Sequence, residues 1–382
     1  MSLLLTSYGV ISGIIPQIRD ALGVSEAAAE LLVTTPSLVA LITLFISPAL
    51  ARIFGLKQVI AAGVLLIGVT AIVPMFATSY TAIMAARIVF GLGLGLYNSL
   101  AITLIQVLYK GNTRSQMLGI RGATENIGQA VFMALVSGLF ALAGWHGAFG
   151  VYLLAFPILV WFWISVPNIS LKDNEKDEAD DSPTGEHYAK KSSPVLILFC
   201  LFAVFYLIVL QSNNVRWAQL AQNVMGKDFD SSMILSVGTV LGILSGLLFG
   251  TIVKKFGAAG TFYIGVGIYF VASLLLGFAN GNFVVLVIGN FLFNIPGAIL
   301  GPLLCDNLPR FAPKHAQAFW STAIIISFHV GVFLSPLVMS GLEMLLGTTN
   351  PAAAFPIYAV LLGTIMVGFY CYTRTHKEVE RQ

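Results

Sequence analysis

Residues 82–108 read AIMAARIVFGLGLGLYNSLAITLIQVL, and this stretch decides the fold class. At about 1.5 Å per residue, a helix of this length crosses the roughly 30 Å hydrocarbon core of a bilayer with residues to spare. Its only charged residue is Arg87, and it contains no proline that would interrupt a helix. The stretch therefore predicts a membrane-spanning α-helix.

The rest of the chain repeats this apolar pattern. Of its 382 residues, 57% are hydrophobic and 10% are charged, and the mean hydropathy is +0.89. An ordinary soluble domain is about one quarter charged, and the short alternating segments of a membrane β-barrel are absent from the sequence. We therefore predict an all-α membrane protein with about 12 transmembrane helices. The predicted spans are residues 2–18, 31–51, 58–76, 82–108, 117–142, 147–167, 194–212, 232–253, 260–279, 283–305, 318–345 and 355–373.

One segment differs from everything around it. From Asn168 to Ser193 the chain is rich in Asp, Glu and Lys, contains Pro183 and Gly185, and has almost nothing apolar. This composition is typical of a solvated, flexible linker. The predicted organisation is an N-terminal six-helix bundle over residues 1–167, a cytoplasmic flexible linker over 168–193, and a C-terminal six-helix bundle over 194–382.

The two predicted bundles repeat one another in sequence. A shift of 203 residues places Ser137-Gly138-Leu139 on Ser340-Gly341-Leu342, and a shift of 202 places Phe54-Gly55 on Phe256-Gly257. A nearly constant offset across several helices, with the linker at its centre, indicates two six-helix repeats of the same orientation. Such repeats predict a pseudo-two-fold axis along the membrane normal and a substrate site near the midplane between the halves.

Basic residues indicate which side of the membrane each loop occupies. Most of the Lys and Arg residues fall in predicted loops on one side, and the other side carries only Arg19, Arg216 and Lys227. The positive-inside rule then predicts cytoplasmic N- and C-termini and a cytoplasmic linker, in a bacterial inner membrane. Residues 2–16 lack the basic start and the cleavage site of a signal peptide, so we interpret them as a short first helix. One hypothesis is that the native chain begins several residues upstream.

Several local patterns resemble one family. The run from Arg87 to Gly95, RIVFGLGLG, looks like a helix-four arginine motif of the major facilitator superfamily. The stretches from Pro48 to Lys57 and from Gly250 to Gly257 resemble its cytoplasmic loop motif, with Pro48 and Arg52 departing from the usual glycine and acid. The run from Gly144 to Phe149, GWHGAF, is similar to a pattern of bacterial efflux members, in which an arginine stands in place of the histidine.

A further efflux pattern matches only in part. Drug antiporters of this superfamily carry a glycine-proline pair in helix five, where this chain has Phe132-Met133. A closer copy of that pattern is Gly331-Val-Phe-Leu-Ser335-Pro336, near the end of the chain. The resemblance implies the superfamily's fold of two pseudo-symmetric six-helix bundles, alternating access and a monomer. It also implies a cytoplasmic gate, with candidate residues Arg52, Gly55, Lys57, Lys254, Lys255 and Gly257. Asp306, at the cytoplasmic end of the tenth predicted span, is interpreted as an end cap or a gate salt bridge.

Ionisable residues within predicted spans are candidates for proton coupling, because a charge in the bilayer is costly. Arg87 lies in the fourth span, and Glu125 lies in the fifth with Arg121 one turn before it. Glu125 is either a proton-carrying carboxyl modulated by Arg87 or a structural partner of Arg121. No other acid lies deep in a predicted span of the first half. His329 can titrate near neutral pH or serve as a hydrogen-bonding core residue.

Polar side chains also mark a candidate substrate cavity. Arg87, Gly91, Leu94 and Asn98 share one helical stripe, which the repeat maps onto Asn290, Asn294, Gly297 and Gly301. The stripe either lines a cavity or packs helices closely through its glycines. The predicted cavity residues are Asn98, Asn126, Gln129, Asn290 and Asn294. The polar run Gln211–Trp217 is interpreted as an outer vestibule or a loop with an interfacial tryptophan.

The sequence carries no Walker motif and no metal-ligand spacing, so we expect no cofactor, no metal and no enzymatic activity. Cys200, Cys305 and Cys371 fall in predicted spans as small apolar residues.

Without a nucleotide-binding motif in the sequence, we expect transport to be driven by a gradient or to be facilitated. The leading prediction is proton-coupled efflux of a small organic compound or drug by an antiporter; the alternative is an uptake symporter or facilitator for a small solute or anion. A receptor or scaffold is a third class. The expected partners are a small-molecule substrate, protons and the lipid bilayer, with no nucleic acid.

Overall fold

A computed structural model of the chain describes residue 4 and residues 7–109, 111–167 and 195–379, with the side chains of some residues in these ranges left undescribed. Every regular element in these ranges is a helix. The predicted linker lies outside them. The helices before the linker, which we call the first half, are a 3₁₀ segment Ser7–Ile14, α1 Ile15–Leu22, α2 Glu26–Phe54, α3 Leu56–Phe76, α4 Tyr80–Leu108, α5 Gly111–Ala148, a 3₁₀ segment Phe149–Leu154 and α6 Ala155–Ser165.

The second half follows the linker and repeats the order of the first. Its helices are α7 Val195–Met225, α8 Ser232–Leu247, α9 Phe249–Gly277, α10 Phe283–Asp306, the short α11 Leu308–Phe311, α12 Lys314–Leu346 and α13 Ala354–Val379. Short connections join the helices, so successive helices cross in opposite directions. We call the end where α6 stops and α7 starts the linker face, and the opposite end the far face.

Many helix boundaries lie within a few residues of the predicted spans, but several differ; α9, for example, begins at Phe249, eleven residues before the predicted span at 260. α2 begins at Glu26, five residues before the predicted span, and α7 continues to Met225, well past the predicted end at 212. α5 has a break at Ala143 and Gly144, which separates the fifth and sixth predicted spans. Hydropathy underestimated the lengths of α2 and α7, because the far-face ends of these helices carry polar residues that are nonetheless helical and mostly buried.

Eight helical stretches of the described residues are long and apolar enough to cross a membrane. One of them, Ile127–Ser165, contains the break in α5, and two further apolar helices, Ser232–Leu247 and Ala354–Tyr370, are shorter. The fold is therefore an all-α, multi-pass membrane protein, while the count of about 12 crossings stays a prediction. Large apolar side chains such as Phe76 and Trp161 are exposed on the outside of the bundle, as expected for residues that face lipid.

Glycines allow the helices of the first half to pack closely. A Cβ on Gly91 of α4 would lie 2.7 Å from the carbonyl oxygen of Pro36 in α2. A Cβ on Gly93 would lie 2.7 Å from the carbonyl oxygen of Gly63 in α3. These glycines therefore serve helix packing, which is one of the two interpretations that the sequence left open. Arg87 and Asn98 are thus oriented by a helix whose position α2 and α3 determine.

Candidate functional site

Four ionisable side chains meet near the far face, where the two halves touch. Arg216 of α7 pairs with Glu30 and Glu26 of α2, and its Nη1 lies 3.2 Å from Glu26 Oε1. The same Nη1 donates to Oε1 of Glu343 in α12 at 2.6 Å. Because α2 belongs to the first half and α7 to the second, the contacts of Arg216 with Glu26 and Glu30 join the halves, while Glu343 of α12 contributes from the second half. We call Arg216, Glu26, Glu30 and Glu343 the far-face cluster.

The far-face cluster is buried and carries more negative than positive charge. Arg216 and Glu30 are 0% exposed, Glu343 is 15% and Glu26 is 21% exposed. Three carboxylates share the Arg216 guanidinium, and Arg19 approaches Glu26 only to 3.9 Å. The Oε2 atom of Glu30 is buried without a hydrogen-bond partner among the described residues. A proton bound by one carboxylate would therefore relieve repulsion in a place that water does not screen.

Local sequence explains how α2 and α12 present their carboxylates. Ser25 caps α2, since its Oγ accepts a hydrogen bond from the Ala28 N–H at 3.3 Å. Glu26 lies in the first turn, where the helix dipole favours negative charge, and Glu30 follows one turn later on the same face. Glu343 lies one turn before Gly347, which ends α12 with a left-handed φ of 61°. The cluster thus forms at helix ends whose positions are fixed by caps.

Hydrogen bonds around the far-face cluster also join the halves. They are Gln219 Nε2 to Glu26 Oε2 (2.8 Å), Gln17 Nε2 to Phe229 O (2.9 Å), Ser231 Oγ to Gly13 O (2.8 Å) and Ser236 Oγ to Ala130 O (2.7 Å). At Gly13 the backbones themselves come close, because a Cβ there would lie 2.6 Å from Ser232 Cα. The far end of the interface between the halves is therefore tightly closed in this structure.

The predicted first-half residues form a second polar group. Arg121 Nη1 lies 3.7 Å from Glu125 Oε2, and Arg121 Nη2 donates to Asn98 Oδ1 at 2.8 Å. Gln129 is near the first 3₁₀ segment, with its Nε2 at 3.9 Å from the position of a Cβ on Gly9. The structure therefore brings Asn98 and Glu125 together through Arg121. The Asn126 side chain lies outside the described residues, and a proton-coupling role for Glu125 stays a prediction.

Arg87 is held entirely within the first half. Its Nε donates to Leu32 O at 2.7 Å and its Nη2 to Tyr8 O at 2.6 Å. Its Nη1 donates to the Tyr152 hydroxyl at 3.2 Å, and its guanidinium carbon lies 4.6 Å from the ring centre of Phe90. Arg87 is 2% exposed. These contacts connect the first 3₁₀ segment, α2 and α4, so the described geometry favours a structural role over the predicted coupling role, which stays untested.

We expect Arg87→Ala to lower the free energy of unfolding by about 3–5 kcal/mol, because several buried acceptors lose a charged donor. Tyr152→Phe should cost about 1–2 kcal/mol, since it removes one hydroxyl between Arg87 and Ser7 O. Thermal unfolding in detergent measures both, with the exposed Ile88→Ala on the same helix as control. Wild-type stability combined with lost proton coupling in Arg87→Ala would instead support the coupling role.

The predicted asparagines of the second half bind one another. Asn213 Nδ2 in α7 donates to Asn290 Oδ1 in α10 at 2.8 Å, and Asn294 Nδ2 donates to Asn290 O at 2.9 Å. Asn213 and Asn290 are fully buried, whereas Asn294 is half-buried. His329 Nδ1 lies 2.9 Å from Ile325 O, one turn earlier in α12. The Asn213–Asn290 hydrogen bond therefore connects α7 with α10. Of the two predicted cavity residues Asn290 and Asn294, Asn294 is the more accessible to a solute.

The predicted gate residues lie at the linker face. Gly55 and Gly257 both have a left-handed φ, 94° and 69°, so the two halves turn alike at the corresponding glycine. Lys57 is 9% exposed, and its Nζ lies 4.8 Å above the Trp163 ring within the same half. Exposed side chains are found at the remaining ionisable candidates, which are Arg52, Lys254, Lys255 and Asp306. Their role as a gate stays a prediction.

Sequence reasoning missed the far-face cluster. The predicted span 31–51 begins one residue after Glu30, so this acid, which is fully buried near the start of α2, was not among the candidates. The interpretation of Gln211–Trp217 as a loop is wrong, because this stretch is helix within α7. The alternative of an outer vestibule stays a prediction; here Arg216 is ion-paired and Trp217 Nε1 donates to Leu286 O at 3.0 Å. One available signal was the pair Glu26 and Glu30, one turn apart directly after the capping Ser25.

The described residues contain no group of three His, Cys, Asp or Glu side chains arranged to hold a metal ion. Cys200 is half-buried and Cys305 is exposed, and both are free thiols. The side chain of Cys371 lies outside the described residues. The chemistry of the site is therefore built from ion pairs, amides and hydroxyls.

Two helical halves that meet at a buried charge cluster define the class of membrane transporters built from repeats. The chain belongs to the Major Facilitator Superfamily, whose family profile matches residues 1–336. The match covers the whole first half and most of the second. The predicted fold class, an all-α membrane protein with the fold of this superfamily, is thereby confirmed, while its division into two bundles of six helices stays a prediction.

Solved structures with the same fold include two transporters. A variant of the nucleoside transporter NupG is 15% identical, covers 96% of this chain and 97% of that one, and has a TM-score of 0.77. The xylose transporter XylE from Escherichia coli, in an inward-open conformation, is 14% identical, covers 97% and 93%, and has a TM-score of 0.76. Identities this low establish the fold alone.

A curated sequence also matches part of the chain. The arabinose-proton symporter of Escherichia coli (strain K12) is 28% identical over 161 residues, which are 42% of this chain and 34% of that protein. The chain therefore matches about a third of the length of this relative.

Proposed function

We propose that this protein is a proton-coupled symporter that takes up a small polar solute by alternating access. The observation that carries the proposal is the far-face cluster, in which Arg216 of one half is buried against Glu26 and Glu30 of the other. An excess of carboxylates at the contact between the halves links proton binding to the closing of that contact. The transported solute is a neutral, hydroxyl-rich compound, for which the amides of Asn98 and Asn294 are suitable hydrogen-bonding groups.

The direction of transport is proposed from the relatives. One is named as an arabinose-proton symporter and two others as transporters of xylose and of nucleosides. These names favour uptake over the drug efflux that the sequence first suggested. Drug export by an antiporter remains the second candidate, supported by the GWHGAF pattern at Gly144–Phe149.

The far-face cluster suggests how a proton gradient drives the cycle. When the far face is open, Glu26 and Glu30 meet water and bind a proton from that side. Closing buries the cluster, and the proton lowers the repulsion among three carboxylates that share Arg216. The closed form thus binds more protons than the open form, so a higher proton concentration on the far side favours closing.

We propose the same orientation as the basic residues predict. The linker face, with Lys254 and Lys255, is cytoplasmic, and the far face is turned away from the cytoplasm. Under that orientation the described structure has its site closed to the outside. The protein then acts as a monomer in a bacterial inner membrane, with the two bundles over 1–167 and 194–382 moving against each other.

Glu30→Gln is expected to uncouple solute movement from the proton gradient. The amide keeps the size of the side chain but cannot exchange a proton. Gradient-driven accumulation should therefore fall roughly tenfold or more, and a tenfold change corresponds to about 1.4 kcal/mol of lost coupling free energy. Equilibrium exchange of solute should persist, since it needs no net proton movement. Proteoliposomes loaded with a pH dye measure both, with arabinose, xylose, a nucleoside and a panel of drugs and organic anions as probes.

Glu125→Gln in the same assay separates the two candidate carboxylates. Loss of coupling in Glu125→Gln with normal coupling in Glu30→Gln would move the proton path to the Arg121–Glu125 pair. Solute flux without proton movement in the wild type would overturn the symporter proposal. A proton flux that runs in the direction opposite to the movement of a drug would support the antiporter instead.

A further inference from the structure

A large apolar cavity lies away from the contact between the halves. It has a volume of about 770 Å³ and is lined by residues of α7, α9, α10, α11 and α13. All lining residues belong to the second half and lie at its linker-face end. Among the described residues, none of the first half lines the cavity, and none of its lining residues belongs to the far-face cluster.

Phenylalanine side chains dominate its walls. They are Phe199, Phe202, Phe205, Phe262, Phe311 and Phe369. Several of these rings contact one another, such as Phe262 with Phe369 at 4.6 Å between centroids. Among the lining residues the one amide is Asn307, whose Nδ2 is already bonded to Leu303 O at 2.9 Å. A ligand inside this cavity must therefore be apolar.

Part of the cavity wall is exposed, and we call this part its mouth. Leu198 and Leu201 on its α7 rim are 62% and 60% exposed. The part of the chain that leads to this rim, residues 168–194, is rich in Asp, Glu and Lys, and the chain after residue 379 is polar. Charged segments do not enter a cavity lined by phenyl rings. A lipid acyl chain therefore matches this cavity better in polarity than either segment does.

Two lysines lie a few residues before the cavity-lining part of α9. Lys254 and Lys255 are exposed and precede the lining residues Ala258 and Ala259 across the turn at Gly257. Basic side chains at the end of a membrane helix attract anionic lipid headgroups. Because Lys254 and Lys255 are only three to five positions from Ala258 and Ala259, an acyl chain of a lipid bound at these lysines is in reach of the cavity.

We propose that this cavity, the Phe pocket, binds one acyl chain of an anionic phospholipid whose headgroup pairs with Lys254 and Lys255. The pocket shares α7 with the far-face cluster, since Phe199 and Phe202 lie on the same helix as Arg216. Bound lipid is positioned to influence the movement of α7. The binding itself does not depend on the proposed transport activity.

The proposal is tested with phosphatidylglycerol that carries a photoreactive group in its acyl chain, bound to the full-length protein in nanodiscs. Cross-links are expected on α7 and α13 peptides. Ala258→Trp should remove most of the labelling, because an indole at this position fills the cavity. In the double variant Lys254→Gln/Lys255→Gln, the preference for phosphatidylglycerol over zwitterionic phosphatidylcholine should fall about tenfold or more. Arg52→Gln, at the corresponding position of the first half, is the matched control and should label normally.

The folded state of each variant is checked by its elution from gel filtration and by its thermal unfolding. Unchanged labelling of a folded Ala258→Trp protein would overturn the proposal. Equal labelling by phosphatidylcholine and phosphatidylglycerol would overturn the assignment of an anionic headgroup. Labelling that requires removal of residues 172–191 would show that the linker itself occupies the pocket, which also contradicts it. None of these results depends on solute transport, so failure here is distinguishable from failure of the symporter proposal.

Discussion

Replacing Arg216 by alanine is expected to abolish solute accumulation and to open the far face. The substitution leaves Glu30 buried without a counter-charge and removes the ion pairs that connect α7 with α2. Breaking a buried ion pair costs about 3–5 kcal/mol, which corresponds to more than about 100-fold in the ratio of closed to open protein. A membrane-impermeant thiol reagent measures the opening, with Ser232→Cys as reporter in a protein whose three native cysteines are replaced.

Arg19→Ala provides the matched control. Arg19 lies at the same face and pairs with Asp20 at 2.7 Å, but its side chain is 24% exposed. It should leave uptake and labelling nearly unchanged, because Asp20 is 43% exposed and Arg19 approaches Glu26 only to 3.9 Å. Ion pairs in contact with water contribute about 0–1 kcal/mol. Arg216→Lys is a second variant, which retains the charge in case the alanine protein does not fold. Normal accumulation in folded Arg216→Ala, with Ser232→Cys still protected, would show that the far-face cluster does not hold the halves together.

Gly13→Ala is expected to prevent the far face from closing. The added Cβ would lie 2.6 Å from both Ser232 Cα and Ser232 N, so a backbone has to move. Ser232 belongs to the other half, and opening the far face relieves the clash. Overpacking of this kind costs about 1–3 kcal/mol, so we expect a roughly 5- to 100-fold loss of uptake.

Gly9→Ala tests the specificity of this effect on the same 3₁₀ segment. The nearest atom to a Cβ on Gly9 is Gln129 Nε2 at 3.9 Å, which is ordinary contact distance. Gly9→Ala should therefore transport normally. Gly13→Ala should in addition label faster than wild type with the Ser232→Cys reporter. Wild-type uptake in both Gly13→Ala and Gly9→Ala would mean that the halves do not approach this closely during transport.

These variants separate gating from coupling. Gly13→Ala changes only the space between the halves, whereas Glu30→Gln changes only the charge of the far-face cluster. A symporter that closes through the cluster should lose solute exchange in Gly13→Ala and keep it in Glu30→Gln. The two defects have different causes, because one blocks the movement and the other removes its link to protons.

Much of the fold was predictable because hydropathy and repeats are local properties of the chain. The spans that became α3, α4 and α10 were predicted within two residues, and the equivalence of Gly55 and Gly257 agrees with their similar φ angles. The Arg121–Glu125 pair follows from helical spacing and is present. The partners of Arg87 were not predictable, since they are carbonyl oxygens of Tyr8 and Leu32 on other helices.

By itself, the sequence determined that the chain is a multi-pass α-helical protein of two repeated halves, because apolar length and periodic matches do not depend on contacts. The tertiary structure alone decided where its charges act. Glu30 and Arg216 lie 186 positions apart in a chain of 382 residues, and each lay just outside a predicted span. Folding brings them together at the contact between the halves, because a buried charge is stable only beside its partner. Residue types along a single helix do not specify that partner.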